Sequence, residues 1–251
     1  MLNTTPNSFQ SIEEFVTGSV LLIDKPYDWT SFDVLNRIKG FVRNKVNIPQ
    51  NEHGHDQRFK IGHAGTLDPL ATGLLVVCTG KFTKRIDEFQ GGSKEYTGSI
   101  TFGKTTPSYD LETEPEGDFP TEHLNLEYLQ SVALQMTGEQ WQKPPIYSAK
   151  QVDGKRAYKA ARSGQNIIIP AVPVTVLYFD VLKYENQTLE FRIGCSKGTY
   201  IRTLAFEIGH KAGSGSYLSS LRRTKSNPFS IENSLTLDEI LVKLEGFSTA
   251  K

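Results

Sequence analysis

Strand-like and helix-like segments succeed one another out of step along this chain, and that irregularity limits the folds open to it. Residues 20–23 form a short buried apolar run. Behind them, Thr30 and Ser31 are caps for a helix that carries Leu35, Ile38 and Val42 on one face, with Asp33 in the first turn where it complements the helix dipole. Residues 74–78 are continuously apolar, whereas 96–102 alternate strictly. Tyr96, Ile100 and Phe102 fall on one side with Gly98 between them, and Thr97, Ser99 and Thr101 on the other. Leu126, Leu129, Val132, Ala133 and Met136 predict a helix, 172–179 and 189–195 predict strands, and Ile201, Leu204, Ala205 and Ile208 mark a further helix. Thr236 and Glu239 have capping-box spacing ahead of Leu237, Ile240, Leu241 and Leu244. The expectation is an α+β architecture around a mixed or mostly antiparallel sheet, not a doubly wound one.

Charge is informative only in its distribution. The 251 residues hold 28 basic and 28 acidic side chains, which cancel. Residues 110–127, however, contain seven acids (Asp110, Glu112, Glu114, Glu116, Asp118, Glu122 and Glu127) and no Lys or Arg. Two other stretches are basic: 143–162 has six cations against Asp153, and 197–225 has six against Glu207, a net +5 in each. A surface polarised in this way can hold RNA at zero net charge. Cys78 and Cys195 each sit in an apolar, strand-like run, which predicts buried reduced thiols and no disulfide framework. No apolar run approaches the roughly 18 residues needed to span a bilayer, and residues 1–17 read as a polar leader without a signal-type core. The expected compartment is the cytoplasm.

The segment richest in chemistry is Lys60-Ile61-Gly62-His63-Ala64-Gly65-Thr66-Leu67-Asp68-Pro69-Leu70-Ala71-Thr72-Gly73, which runs directly into the strand at 74–78. Glycines at 62, 65 and 73 permit tight backbone. Asp68 precedes a proline, which biases it toward extended geometry and sets its carboxylate on a fixed loop at the edge of a strand.

This segment resembles the signature of the TruB family of tRNA pseudouridine synthases, in which the Asp of a Gly-x-Leu-Asp-Pro loop is catalytic. Four further stretches resemble the family in order. Leu22-Ile23-Asp24-Lys25-Pro26 with Thr30-Ser31 matches its opening strand and helix, and Lys94-Glu95-Tyr96 the strand bearing its active-site tyrosine. Residues 144–149 through 154–158 match its RNA-gripping thumb, and 195–203 with Leu221-Arg222-Arg223-Thr224 complete the set, so the resemblance covers about residues 20–230.

The resemblance implies a pseudouridine synthase fold at 18–232, with a thumb-like RNA-binding insertion at 141–170; the expected departures from the family are a longer, polar insertion at 44–59 and a short C-terminal helix at 233–251 in which no complete PUA module fits. It implies isomerisation of uridine to pseudouridine at position 55 of the tRNA T-loop, by base flipping, without cofactor or metal. Asp68 would be the catalytic carboxylate, Arg202 would hold it ionised and oriented, and Tyr96 would stack on the target uracil and relay a proton. Tyr200 and Leu221 would line the pocket, and His63 would stack on RNA where the flipped base departed. Lys150, Lys155 and Arg156 belong to a basic arm interleaved with Tyr147 and Tyr158, a composition suited to RNA backbone. The compact form with Leu70-Ala71-Thr72-Gly73 is similar to the stand-alone bacterial members, so the expected partner is the T-arm of tRNA, bound by a monomer without guide RNA.

Two other readings fail on spacing. Thr79-Gly80-Lys81 after an apolar strand is not a phosphate loop, because six residues separate Gly73 from Gly80 and Phe82 follows the lysine. His53-Gly54-His55-Asp56 lacks a partner cluster at metal-ligand spacing. A non-catalytic RNA-binding or RNA-folding chaperone with the synthase shape is the alternative function. The joint presence of Asp68, Tyr96 and Arg202 favours the enzyme. Pro107 and Tyr109 depart from the family pattern, which usually has an acidic and a small or polar residue there.

Overall fold

A computed structural model describes residues 5–45, 59–147, 151–152, 155–156 and 169–248. The chain divides into two compact units, one formed by Met1–Ser93 with Arg222–Lys251 and the other by Lys94–Leu221.

The first unit contains helix α1 (Ile12–Thr17), strand β1 (Val20–Lys25), helix α2 (Ser31–Lys45), strands β2 (Ile61–His63) and β3 (Ala71–Thr79), a 3-10 turn at Gly80–Arg85 and helix α3 (Ile86–Gln90). β1 pairs antiparallel with β3 from Val20↔Cys78 to Lys25↔Gly73, and β2 pairs antiparallel with β3. Both long strands are buried on two faces, which explains their continuous apolar runs. Leu21, Ile23, Leu75 and Val77 pack under α2, while Val20, Leu22, Leu74, Val76 and Cys78 pack with Ala64 and Phe82. The stretch before Val20, expected as a polar leader, holds α1 and buries Phe9 and Phe15 in the α2-side core. Ser11 caps α1 by accepting from the Glu14 amide at 3.1 Å.

In the second unit the described elements are β4 (Lys94–Phe102), α4 (Leu126–Gln135), β5 (Gly138–Gln142), β6 (Gln151–Val152), β7 (Lys155–Arg156), β8 (Val172–Glu185), β9 (Thr188–Cys195) and α5 (Ile201–Lys211). β4, β9, β8 and β5 lie side by side and antiparallel. α4 packs on β8 and on α5. Asn125 caps α4 through the Tyr128 amide, 2.8 Å away.

A long strand, β10 (Ser216–Ser226), leaves the second unit after Leu221 and supplies Arg222–Ser226 to the first. Its sequence, Ser-Tyr-Leu-Ser-Ser-Leu-Arg-Arg-Thr-Lys-Ser, is too polar to carry a strand signal. β11 (Phe229–Ser230), a 3-10 turn at Ile231–Asn233, β12 (Leu235–Thr236) and α6 (Leu237–Ser248) follow. β12 runs parallel to β1, which makes the pairing mixed. The capping box is formed: Thr236 N–H donates to Glu239 Oε2 at 2.7 Å, and Glu239 N–H to Thr236 Oγ1 at 3.2 Å. α6 adds Leu237, Ile240, Leu241 and Leu244 to the α2-side core. None of the described helices is long and apolar enough to cross a membrane.

Candidate active site

The loop at 64–70 is short, and its backbone is tied down at several points. Ala64 N–H donates to Val76 O at 2.8 Å and Ala71 N–H to Asp68 O at 3.1 Å. The buried Ser31 hydroxyl, at the start of α2, accepts from Leu67 N–H at 2.9 Å and donates to Leu67 O at 3.1 Å. Arg223, only 2% exposed, donates from Nε to Leu74 O (2.7 Å), from Nη2 to Gly65 O (3.1 Å) and from Nη1 to Thr66 O (3.4 Å). One guanidinium thus fastens the loop to the strand that follows it, using the planar fork that a lysine lacks. Gly73 is required by this packing: its φ is +98°, and a Cβ there would collide with the Arg223 carbonyl oxygen.

Lys25 closes the loop from the other side. Its buried ammonium donates to the carbonyls of Pro26 (2.9 Å), Trp29 (2.5 Å) and Pro69 (3.2 Å), and Asp28 N–H reaches the same Pro69 oxygen at 3.0 Å. Burial pushes the Lys25 pKa down to about 8, opposed by attraction to Asp68 and reinforced by Arg223. Lys25 and Asp68 therefore each favour the other's charged form. Raising the pH through about 8 is expected to discharge Lys25 and lower turnover, giving the pH–rate profile an alkaline limb. The folded lysine holds its proton less tightly than an unfolded one at 10.5, so stability should instead climb between about pH 8 and 10.5. A profile that runs flat through pH 8 would remove Lys25 from the electrostatics of the loop.

His63 lies on β2 opposite Val77. Burial, followed by the charge of Arg223, pushes its pKa below the usual histidine value, and its buried Nδ1 has no hydrogen-bond partner among the described residues. It is a neutral ring at pH 7. Asp68 and His63 both belong to the first unit; Tyr96, Tyr200, Arg202 and Leu221 belong to the second.

In the second unit Tyr96 is 8% exposed on β4, opposite Ile193. Its neighbour Glu95, on the other face of the strand, accepts from Tyr178 Oη at 2.5 Å. Burial, then that carboxylate, pushes the Tyr178 phenol up to about 12. Arg202, 3% exposed in the first turn of α5, has Nε 3.4 Å from Asp110 Oδ2, and donates to Ser108 O (3.3 Å) and Tyr147 O (2.9 Å). Asp110 in turn accepts from Glu112 N–H at 3.0 Å. Sequence reasoning counts Asp110 only as the first of seven acids; nothing in its periodicity marks it as the buried member. Gln142 is missed as well. Its side chain brackets Tyr200, accepting from Tyr200 N–H at 2.7 Å and donating to Tyr200 O at 3.1 Å, which sets the residue that begins α5.

Leu221 is half-buried at the point where β10 changes unit. Lys155 and Arg156 form β7, a two-residue strand paired with β6, and the structure describes their backbone alone. Lys150 lies outside the described residues, as do 46–58, which include the His53–Asp56 motif and most of the polar insertion. Among the described residues no group of three or more His, Cys, Asp or Glu could hold a metal ion. Cys78 and Cys195 are buried and unpaired, with burial pushing their thiols up to about 12 and about 11.

Residues 53–201 match the model of the TruB family pseudouridylate synthase N-terminal domain. The chain is 50% identical over 225 residues to tRNA pseudouridine synthase B of Flavobacterium johnsoniae, covering 90% of this chain and 95% of that one. Its identity to the protein of the same name from Parabacteroides distasonis is 41%, over 90% and 93%, and to that from Chloroherpeton thalassium 46%, over 90% of each. Among solved structures it is similar to a chain of a Cbf5-Nop10-Gar1 complex, with a TM-score of 0.65 and 28% identity over 96% of this chain. A chain of an H/ACA RNP bound to a substrate RNA gives 0.64 and 27% over 93%. The match spans only 60% and 55% of those two chains. With more than half of its length matched by the family model and relatives of 41–50% identity over 90% of its residues, the chain belongs to the TruB family of pseudouridylate synthases.

Proposed function

We propose that this protein isomerises uridine to pseudouridine in transfer RNA, at position 55 of the T-loop, acting as a monomer on the T-arm. The observation that carries the reading is the Asp68 loop. Three buried side chains, Ser31, Lys25 and Arg223, fix its backbone, a rigidity suited to a carboxylate that must be pre-positioned. The reaction breaks the C1′–N1 bond, turns the uracil and joins C1′ to C5. The C5 proton leaves and N1 gains one, so atoms balance without a cofactor.

Each route open to Asp68, attack at ribose C1′, attack at uracil C6 or assistance to glycal formation, needs it ionised. Lys25 favours that state. Tyr96 stacks on the flipped uracil and relays the C5 proton, Tyr200 and Leu221 line the pocket, and neutral His63 fills the stack that the base has left. Lys150, Lys155 and Arg156 take phosphates.

Arg202 orients Asp68 in this reading; its own placement rests on Nη1 and Nη2 donating to the Ser108 and Tyr147 carbonyls, with Asp110 Oδ2 3.4 Å from Nε. Arg202→Lys keeps the charge and loses the fork. Turnover is expected to fall by about 100-fold or more with little change in RNA affinity, and near-normal turnover would show that Arg202 does not orient the carboxylate. The function as a whole is tested with an unmodified tRNA transcript carrying tritium at uracil C5. Tritium release without added cofactor, mapped to position 55, is the expected result. Folded protein that binds the transcript and releases none would overturn the reading.

A further inference from the structure

Two aromatic side chains beside the Asp68 loop take no part in the core. Tyr27 is 59% exposed and Phe32 60% exposed, five residues apart across the turn that joins β1 to α2. Single exposed apolar residues are ordinary on any surface. These two are distinguished by what holds them and what surrounds them.

The turn is fastened to the loop. Asp28, between them, adopts a positive φ of 63°, a conformation uncommon for a residue with a Cβ, and its amide is bonded to Pro69 O. Lys25 bonds the same oxygen, and Ser31, adjacent to Phe32, bonds Leu67 through both its N–H and its carbonyl. Whatever lies on Tyr27 and Phe32 is therefore held in fixed register with Asp68.

The surroundings are graded in charge. Lys39 and Arg43 follow Phe32 by seven and eleven residues, about two and three turns of α2, so all three share one stripe of the helix. Lys39 Nζ lies 5.9 Å from the Phe32 ring centroid. Arg37 and Arg43 are exposed. At the other end stand two acids, Asp28 and Asp33, and the Asp33 carboxylate is occupied by Thr30 N–H (2.9 Å) and Thr30 Oγ (2.5 Å). Phosphates are favoured at the Lys39–Arg43 end and disfavoured at the Asp28–Asp33 end, where flat apolar rings are offered instead. A strand with charged backbone and flat, unpaired bases satisfies both ends.

We propose that Tyr27 and Phe32 form a stacking platform for unpaired bases of the substrate RNA next to the target uridine, with Lys39 and Arg43 neutralising the backbone that leads away from it. The inference rests on the RNA-modifying reading above and names a binding surface for it. Removing an aromatic on which a base stacks lowers affinity by about tenfold or more. For the full chain titrated with a labelled, unmodified tRNA transcript, Tyr27→Ala and Phe32→Ala are each expected to weaken binding about tenfold, and the pair roughly 100-fold. The loss should fall on KM, with turnover recovered at saturating RNA, and Tyr27→Phe and Phe32→Tyr should restore it.

Independently, Lys39→Gln with Arg43→Gln should flatten the salt dependence of log K by about 0.7 for each phosphate that is no longer neutralised. Folded Tyr27→Ala, Phe32→Ala protein with wild-type affinity and KM overturns the proposal, as does an unchanged salt slope in the cation pair. A docking surface for another protein would give that outcome. Absence of tritium release from the wild type, with affinity still reduced in the aromatic variants, would instead reject the reaction and leave the platform standing.

Discussion

Asp68→Asn is expected to abolish turnover while leaving the protein folded and tRNA affinity within about tenfold of wild type, or roughly 1.4 kcal/mol. The amide is nearly isosteric with the carboxylate, so the loop, Pro69 and the bonds from Ala71 and Asp28 to its carbonyls remain. What disappears is the negative charge, and with it the nucleophile and the partner of Lys25. RNA affinity comes mostly from phosphate binding and stacking spread over many residues, so removing one carboxylate has little effect on it. The measurement is a single-turnover assay on C5-tritiated tRNA beside an equilibrium titration with the same transcript. Wild-type tritium release from folded Asp68→Asn would end the proposed mechanism.

Arg223→Leu is the second large effect. The buried carbonyl of Leu74 and the less buried carbonyls of Gly65 and Thr66 would lose their common donor, and an apolar side chain offers nothing in return. A destabilisation of about 3–5 kcal/mol is expected, read as a lowered urea midpoint. Turnover should fall in the folded fraction as well, because the Asp68 loop is no longer fastened to β3. Arg223→Lys retains the charge with a single donor head in place of the fork and is expected to fall between the two. An unchanged midpoint in Arg223→Leu would mean that the loop is rigid without its arginine.

The contrast between Asp68 and Arg223 also shows what can be read from sequence. Asp68 is legible because glycines, a proline and an apolar strand surround it within one short window. β1, β3 and β4 are legible for a similar reason: burial on two faces gives a continuous apolar run, and burial on one gives strict alternation. β10 is not. Its buried members include Ser216, Ser226 and Arg223, polar residues that carry no apolar pattern, and the fit of Arg223 depends on a loop far away in the chain. Asp110 and Gln142 are hidden in the same way, each acting on a residue about 60 to 90 positions later, Gln142 on Tyr200 and Asp110 on Arg202. Phe9 and Phe15 escape notice because a core contribution from two rings in a polar stretch leaves average composition nearly unchanged.

That the first unit is assembled from residues on both sides of the second has a consequence for its synthesis on the ribosome. Gly65 and Arg223 are 158 positions apart, so at about 5–20 residues per second the Asp68 loop waits roughly 10–30 s for the arginine that pins it. During that interval the contiguous second unit can emerge and fold, while the nascent first unit keeps β3 without its β10 neighbour and the α2-side core without α6. Truncated chains released before Arg223 would carry every atom of Asp68 and keep the bonds from Ser31 and Lys25, but lack the guanidinium that ties the loop to β3. The complete set of loop fastenings is thereby reserved for translation products that have run past Arg223.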